Sequence, residues 1–138
     1  MTLNKLTPDE WNLIAAEAHL AVFAEERPAS MNRIDFALMT ELDGVPLSYM
    51  TCREVDEETV YMAYGGSFPS AKNTALSFQS YQAFIEYLST KYKRATTLIE
   101  NTNFPMLKFA MKEGLVITGL RNFKGSILLE HSIEWNKE

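Results

Sequence analysis

Apolar residues recur at two spacings along this chain, and the spacing changes near residue 34. Before that point Trp11, Ile14, Ala18 and Ala21 recur at three- and four-residue steps, which predicts one apolar stripe on a helix over 8–26. Thr7 stands at its N-cap, Pro8 suits the first helical position, and Asp9 and Glu10 favour the positive end of the helix dipole. The segment 2–6 can form a short strand ahead of it. Pro28 ends the helix or opens a second short one through 28–32.

From Ile34 the period is two. Ile34, Phe36, Leu38 and Thr40 share one face, and Val45, Leu47, Tyr49 and Thr51 share another. Asp43-Gly44 between the two runs is a hairpin signal, because both residues tolerate positive φ. Residues 59–64 read as a third strand, apolar on both faces and therefore interior to a sheet. Gly65-Gly66 is expected to break it. A polar loop, "SFPSAKNT", then leads to a helix over 73–91 with Phe78, Tyr81, Ile85 and Leu88 inward. The run 94–100 is a strand, and its place after a strand and a helix predicts a parallel crossover. Asn103 and Pro105 open another helix, with Leu107, Ala110 and Met111 inward and Gly114 as C-cap. Two strands joined at Lys124-Gly125 close the chain. The predicted order is β-α-β-β-β-α-β-α-β-β, an α/β mixed sheet with helices on its faces.

Composition narrows the function classes. A length of 138 residues predicts a single domain over 1–138, and 46% apolar residues supply an ordinary core. No apolar run approaches the roughly 20 residues that span a bilayer. The opening "MTLNKLTPDEW" has neither a basic flank nor an apolar core, so no export signal is expected. The lone Cys52 fits a reducing compartment, and a cytoplasmic protein is the expectation. A net charge of −5 argues against a broad phosphate-binding face and tight duplex binding. With His19 and His131 the only histidines, no metal site is expected. His19 is expected at the surface or boundary. Cys52 is expected to pack rather than react, because Arg53 points the other way on a strand.

The sequence from Asn101 to Gly114 carries the sharpest family signal. Asn103 is followed by Met106, Ala110, Gly114 and Leu115 at steps of three, seven, eleven and twelve. This spacing, together with the element order, resembles the GNAT superfamily of acyl-CoA-dependent N-acyltransferases over nearly the whole chain. The resemblance implies a sheet that splays beside the 59–64 strand, with acetyl-CoA as co-substrate and a small-molecule or protein amine as acceptor. Two departures stand out. The family's Gly-x-Gly phosphate loop is replaced by "GGSFPSAKNT", and Ala110 occupies the place of a general-acid tyrosine. The compact style of "YGG", "NTNFPMLK" and "LRNFKGSILLEHS" also resembles short GNAT-like proteins of bacteriophages.

On this resemblance Ser70, Lys72, Asn73 and Thr74 are the candidate pyrophosphate contacts at a helix N-terminus, and Gly65 and Gly66 expose an amide to the thioester carbonyl. Asn103 would bond the cofactor arm. Each has a bland alternative: Asn73, Thr74 and Asn103 are also ordinary helix caps. For proton transfer, Tyr64 is the candidate acid and Glu100 the candidate base through a water, against the ordinary readings of a core tyrosine and a solvated strand-end carboxylate. Acidic residues in 54–58 and Glu25-Glu26 are solvated by default and would otherwise attract a cationic amine. Two rival functions share the fold: a GNAT-shaped binding or structural protein, such as a phage virion or host-interaction factor, and an acyltransferase acting on a modified nucleobase.

Overall fold

The structure, a computed structural model, describes residues 1–24 and 33–135. The short helix expected through 28–32 and the Glu25-Glu26 pair lie outside the described residues. The elements are β1 (Thr2–Leu6), α1 (Pro8–Phe23), β2 (Phe36–Leu42), β3 (Val45–Glu54), β4 (Thr59–Ser67), α2 (Ala75–Lys91), β5 (Arg94–Glu100), α3 (Phe104–Lys112), β6 (Val116–Phe123) and β7 (Ser126–Glu134). This is the predicted order. The hydrogen-bonded strand order is β1-β2-β3-β4-β5-β7-β6. The chain packs as two compact units, one of Met1–Arg53 with Ala63–Tyr87, the other of Glu54–Met62 with Leu88–Glu138.

In the first unit β1, β2 and β3 are antiparallel neighbours, turned by Asp43 and Gly44 at φ 52 and 80. α1 begins with a full capping box. The Thr7 hydroxyl accepts the Glu10 N–H at 3.2 Å, and the Glu10 carboxylate accepts the Thr7 N–H at 3.0 Å. Trp11, Ala15 and Ala18 of α1 pack with Ala37, Tyr49 and Phe68, and the Trp11 and Tyr49 rings lie 4.8 Å apart. On the opposite face of β2, the Thr40 hydroxyl donates to Ser80 of α2 at 2.7 Å. The α1 stripe is rotated from the predicted one. Ile14 is half-buried and Ala21 exposed, while Ala15 and His19 are buried. His19 is thus a core residue, its ring centroid 4.6 Å from that of Phe23 and tilted by 39°, because it stands four and eight residues from Ala15 and Trp11 on the buried line. In α2 the inward line is Ser80, Phe84, Ile85 and Leu88, with Phe78 and Tyr81 only half-buried.

In the second unit β7 lies between β5 and β6 and is antiparallel to both. The β6–β7 turn places Lys124 and Gly125 at φ 50 and 83. α3 ends as expected: Gly114 has φ 88, its N–H bonds the Met111 carbonyl, and the Leu115 N–H bonds the Ala110 carbonyl. Ala110 is buried but Met111 is exposed, contrary to expectation, since about 100° of helix rotation separates neighbours.

Candidate functional site

β4 runs on through Gly65 and Gly66 to Ser67, so the glycines do not break the strand. Their reason is close approach. A methyl group on Gly65 would stand 2.8 Å from the Tyr49 carbonyl oxygen of β3, and one on Gly66 would overlap Val22 of α1. On its β3 side this stretch stays paired. The Tyr64 N–H donates to the Thr51 hydroxyl at 3.1 Å, Ser67 and Ser48 hydroxyls meet at 2.9 Å, and the Phe68 N–H bonds the Leu47 carbonyl at 2.8 Å.

The β5 side differs. Within the second unit the parallel register runs from Thr59↔Arg94 to Met62↔Thr97, although β4 continues to Ser67 and β5 to Glu100. Where the register stops, the Thr97 hydroxyl donates to the Met62 carbonyl at 2.8 Å. A side chain thus satisfies the last carbonyl, and the backbone ladder need not go further. The register within the second unit thus ends before either strand does.

The loop after β4 is tethered at both ends. Ala71 is fully buried, and the Ala71 and Lys72 amides both donate to the Phe68 carbonyl at 2.9 Å. Asn73 takes φ 63, a left-handed conformation that glycine usually fills and asparagine tolerates. Thr74 caps α2. Its hydroxyl accepts the Leu76 N–H at 3.2 Å and donates to the Ala71 carbonyl at 2.5 Å. The Ser70 hydroxyl donates to the Pro46 carbonyl at 2.7 Å. A hydroxyl has one proton. Neither Ser70 nor Thr74 can donate to an anion without releasing its carbonyl. Lys72 is exposed. A further hydroxyl line, Ser48 to Ser67 to Ser77, joins β3, β4 and the first turn of α2 at 2.9 and 2.5 Å. Sequence reasoning missed it, because only the fold brings 48, 67 and 77 together.

Tyr64 is half-buried, with its ring packed against the α1 core. Cys52 is fully buried, and desolvation pushes its thiol well above the ordinary range despite the pull of Lys5, which removes it as a nucleophile. In the second unit Glu100 is exposed at the end of β5, and its carbonyl accepts the Asn103 N–H at 3.0 Å. Asn103 caps α3 by accepting the Met106 N–H at 3.4 Å, which leaves its amide NH₂ available as a donor. The structure thus gathers Tyr64, Gly65, Gly66, Ser70, Lys72, Asn73 and Thr74 in one unit, and Glu100 and Asn103 in the other. The acidic turn is engaged rather than merely solvated: Glu54 accepts from the Tyr92 hydroxyl at 2.6 Å, and Glu58 pairs with Lys93 at 3.1 Å. No cluster of three or more potential metal ligands occurs among the described residues, and no described helix is long and apolar enough to cross a membrane.

The fold has close counterparts among solved structures. A GNAT family acetyltransferase from Elizabethkingia anophelis, solved with acetyl-CoA bound, superposes with a TM-score of 0.80 at 16% identity, covering 97% of this chain and 97% of that one. The ribosomal-protein-S18-alanine N-acetyltransferase of Escherichia coli matches at 0.79 and 10% identity, covering 96% of this chain and 92% of its own. An IAA acetyltransferase from Bacillus cereus matches at 0.77 and 10% identity, over 97% and 99%. The chain therefore has the GNAT fold. No protein-family model matches the sequence, and no curated protein matches it in sequence.

Proposed function

We propose that this protein transfers an acetyl group from acetyl-CoA to an amine. The observation that carries the reading is the end of the β4–β5 ladder at Met62↔Thr97, beyond which β4 runs on through Gly65 and Gly66. Backbone amides there can meet a thioester carbonyl and polarise it. Structures of the same fold that hold acetyl-CoA support the choice of co-substrate.

Lys72 is the fixed charge for the pyrophosphate, aided by the Asn73 backbone amide ahead of α2, since the Thr74 amide already donates to the Ala71 carbonyl at 3.0 Å. Ser70 and Thr74 serve chiefly to hold the loop. The Asn103 amide NH₂ bonds a carbonyl of the pantetheine arm. The amine nitrogen attacks the thioester carbon, a C–N bond forms, and the C–S bond breaks. Glu100 takes the ammonium proton through a water, and Tyr64 returns a proton to the leaving thiolate. Because Ala110 cannot donate a proton and a thiolate leaves readily, positioning and carbonyl polarisation carry most of the rate.

The test is release of free CoA thiol from acetyl-CoA in the presence of a panel of amines and amino-terminal peptides. Lys72→Ala should raise the KM for acetyl-CoA about tenfold with kcat little changed. A second reading, a GNAT-shaped binding protein, is favoured by Ala110 and by the hydroxyls already committed within the loop. It predicts no thermal shift with any acyl-CoA and a stable protein partner instead. Nucleobase acylation predicts thiol release only when nucleic acid is supplied.

A further inference from the structure

We infer that His131 is a second base of the acyl transfer, taking at its Nε2 the proton that the attacking nitrogen sheds as the amide forms; this rests on the acyl-transfer reading above. His131 stands within β7 and is 1% exposed. Its Nδ1 lies 3.2 Å from the Leu129 carbonyl oxygen. A carbonyl only accepts, so Nδ1 carries the hydrogen, and in the neutral ring Nε2 is a bare lone pair. Nε2 is buried and has no hydrogen-bond partner among the described residues. Folded proteins rarely leave a buried polar atom unmatched.

The neighbours supply no donor. His131 faces Thr97 in the β5–β7 register, and Thr97 faces Met62 where the β4–β5 register of this unit ends, so the three share one line across one sheet face. The Thr97 hydroxyl has a single proton, and the Met62 carbonyl holds it at 2.8 Å. Ile117, opposite His131 on β6, and Ala95, Ile99, Leu129 and Ile133 on the same face are apolar. α3 covers this face, since a methyl group on Gly114 would stand 3.9 Å from Ile133 Cδ1. α3 returns along β5 to the start of β6, so it and β7 both run opposite to β5. Four residues back from Gly114 rise about 6 Å, and two back from Ile133 about 7 Å, which sets Ala110 level with His131. Ala110 is buried and brings only a methyl group. Met62, Thr97, Ala110 and His131 all belong to the second unit. The missing donor therefore comes from a bound molecule.

The proton balance calls for such a base. An ammonium loses two protons on becoming an amide. The first leaves before attack, through water to Glu100. Attack forms the C–N bond and puts a positive charge on nitrogen. As the C–S bond breaks, the second proton moves to His131 Nε2 and Tyr64 protonates the thiolate. The imidazolium then returns its proton through water to the tyrosinate, and both residues end as they began.

The test measures thiol release from acetyl-CoA with butylamine, benzylamine and an alanine-first peptide as acceptors. His131→Gln keeps a hydrogen-bonding side chain but cannot take the proton. Its kcat should fall about a hundredfold with the KM for acetyl-CoA little changed. His131→Phe serves if His131→Gln does not fold, and should lose as much. Unchanged kcat in a folded variant would overturn the inference, make Nε2 a water site and leave the acyl-transfer reading standing. A change confined to the KM for acetyl-CoA would also overturn it, placing Nε2 on the cofactor arm. A wild-type protein that releases no thiol with any of the three acceptors would overturn that reading and the role of His131 together.

Discussion

Gly65 and Gly66 are neighbours that differ in what a methyl group would meet. At Gly65 it meets a backbone carbonyl, which cannot turn away, and at Gly66 it overlaps Val22, a β-branched side chain with little freedom at χ1. Gly65→Ala and Gly66→Ala should therefore each lower stability by about 1–3 kcal/mol in urea unfolding. No loss at either position would contradict these close approaches. Glu10 supplies a pH signature. The Thr7 backbone amide, then its hydroxyl, hold the Glu10 carboxyl below its ordinary value of 4.5. Since the folded value is the lower one, its contribution is present above 4.5 and is lost as pH falls through the folded value. Glu10→Gln should flatten that part of the acid limb in unfolding curves recorded from neutral pH downward. An unchanged slope would contradict the capping box.

Among elements, the end of the β4–β5 ladder rests on Thr97, whose hydroxyl occupies the Met62 carbonyl. Thr97→Val keeps the shape and removes that bond. It should cost about 1 kcal/mol, and amide exchange should report a changed end to the pairing of β4 with β5. Loss of stability with no change in exchange there would reduce Thr97 to ordinary packing. Much at this scale was legible in the sequence. Asp43-Gly44 and Lys124-Gly125 mark turns because few residues tolerate positive φ, and Gly114 marks the end of α3 for the same cause. The insertion of β7 between β5 and β6 was not legible, since pairing of residue 94 with residue 134 is a long-range choice. Gly65-Gly66 misled for a related reason. In isolation a glycine pair signals a break, and only the approach of β3 and α1 shows why a strand needs it. The α1 stripe slipped by one position because Ala15 and Ala21 look alike until a partner face chooses between them.

For the whole molecule, sequence identities of 10–16% accompany TM-scores from 0.71 to 0.80, so pattern rather than residue identity carries the fold. In the candidate site Asn73 takes a left-handed conformation before α2, Asn103 caps α3, and Ala110 brings no proton donor. What remains is backbone: a strand that outlasts its parallel neighbour and a helix start that follows it. Titration of acetyl-CoA into isotope-labelled protein, followed by amide spectra, addresses this directly. The account predicts saturable binding of one molecule per chain, with the largest shifts at Gly65, Gly66, Ser67 and Lys72. No shift at millimolar acetyl-CoA, or shifts confined to residues away from the end of β4, would contradict it.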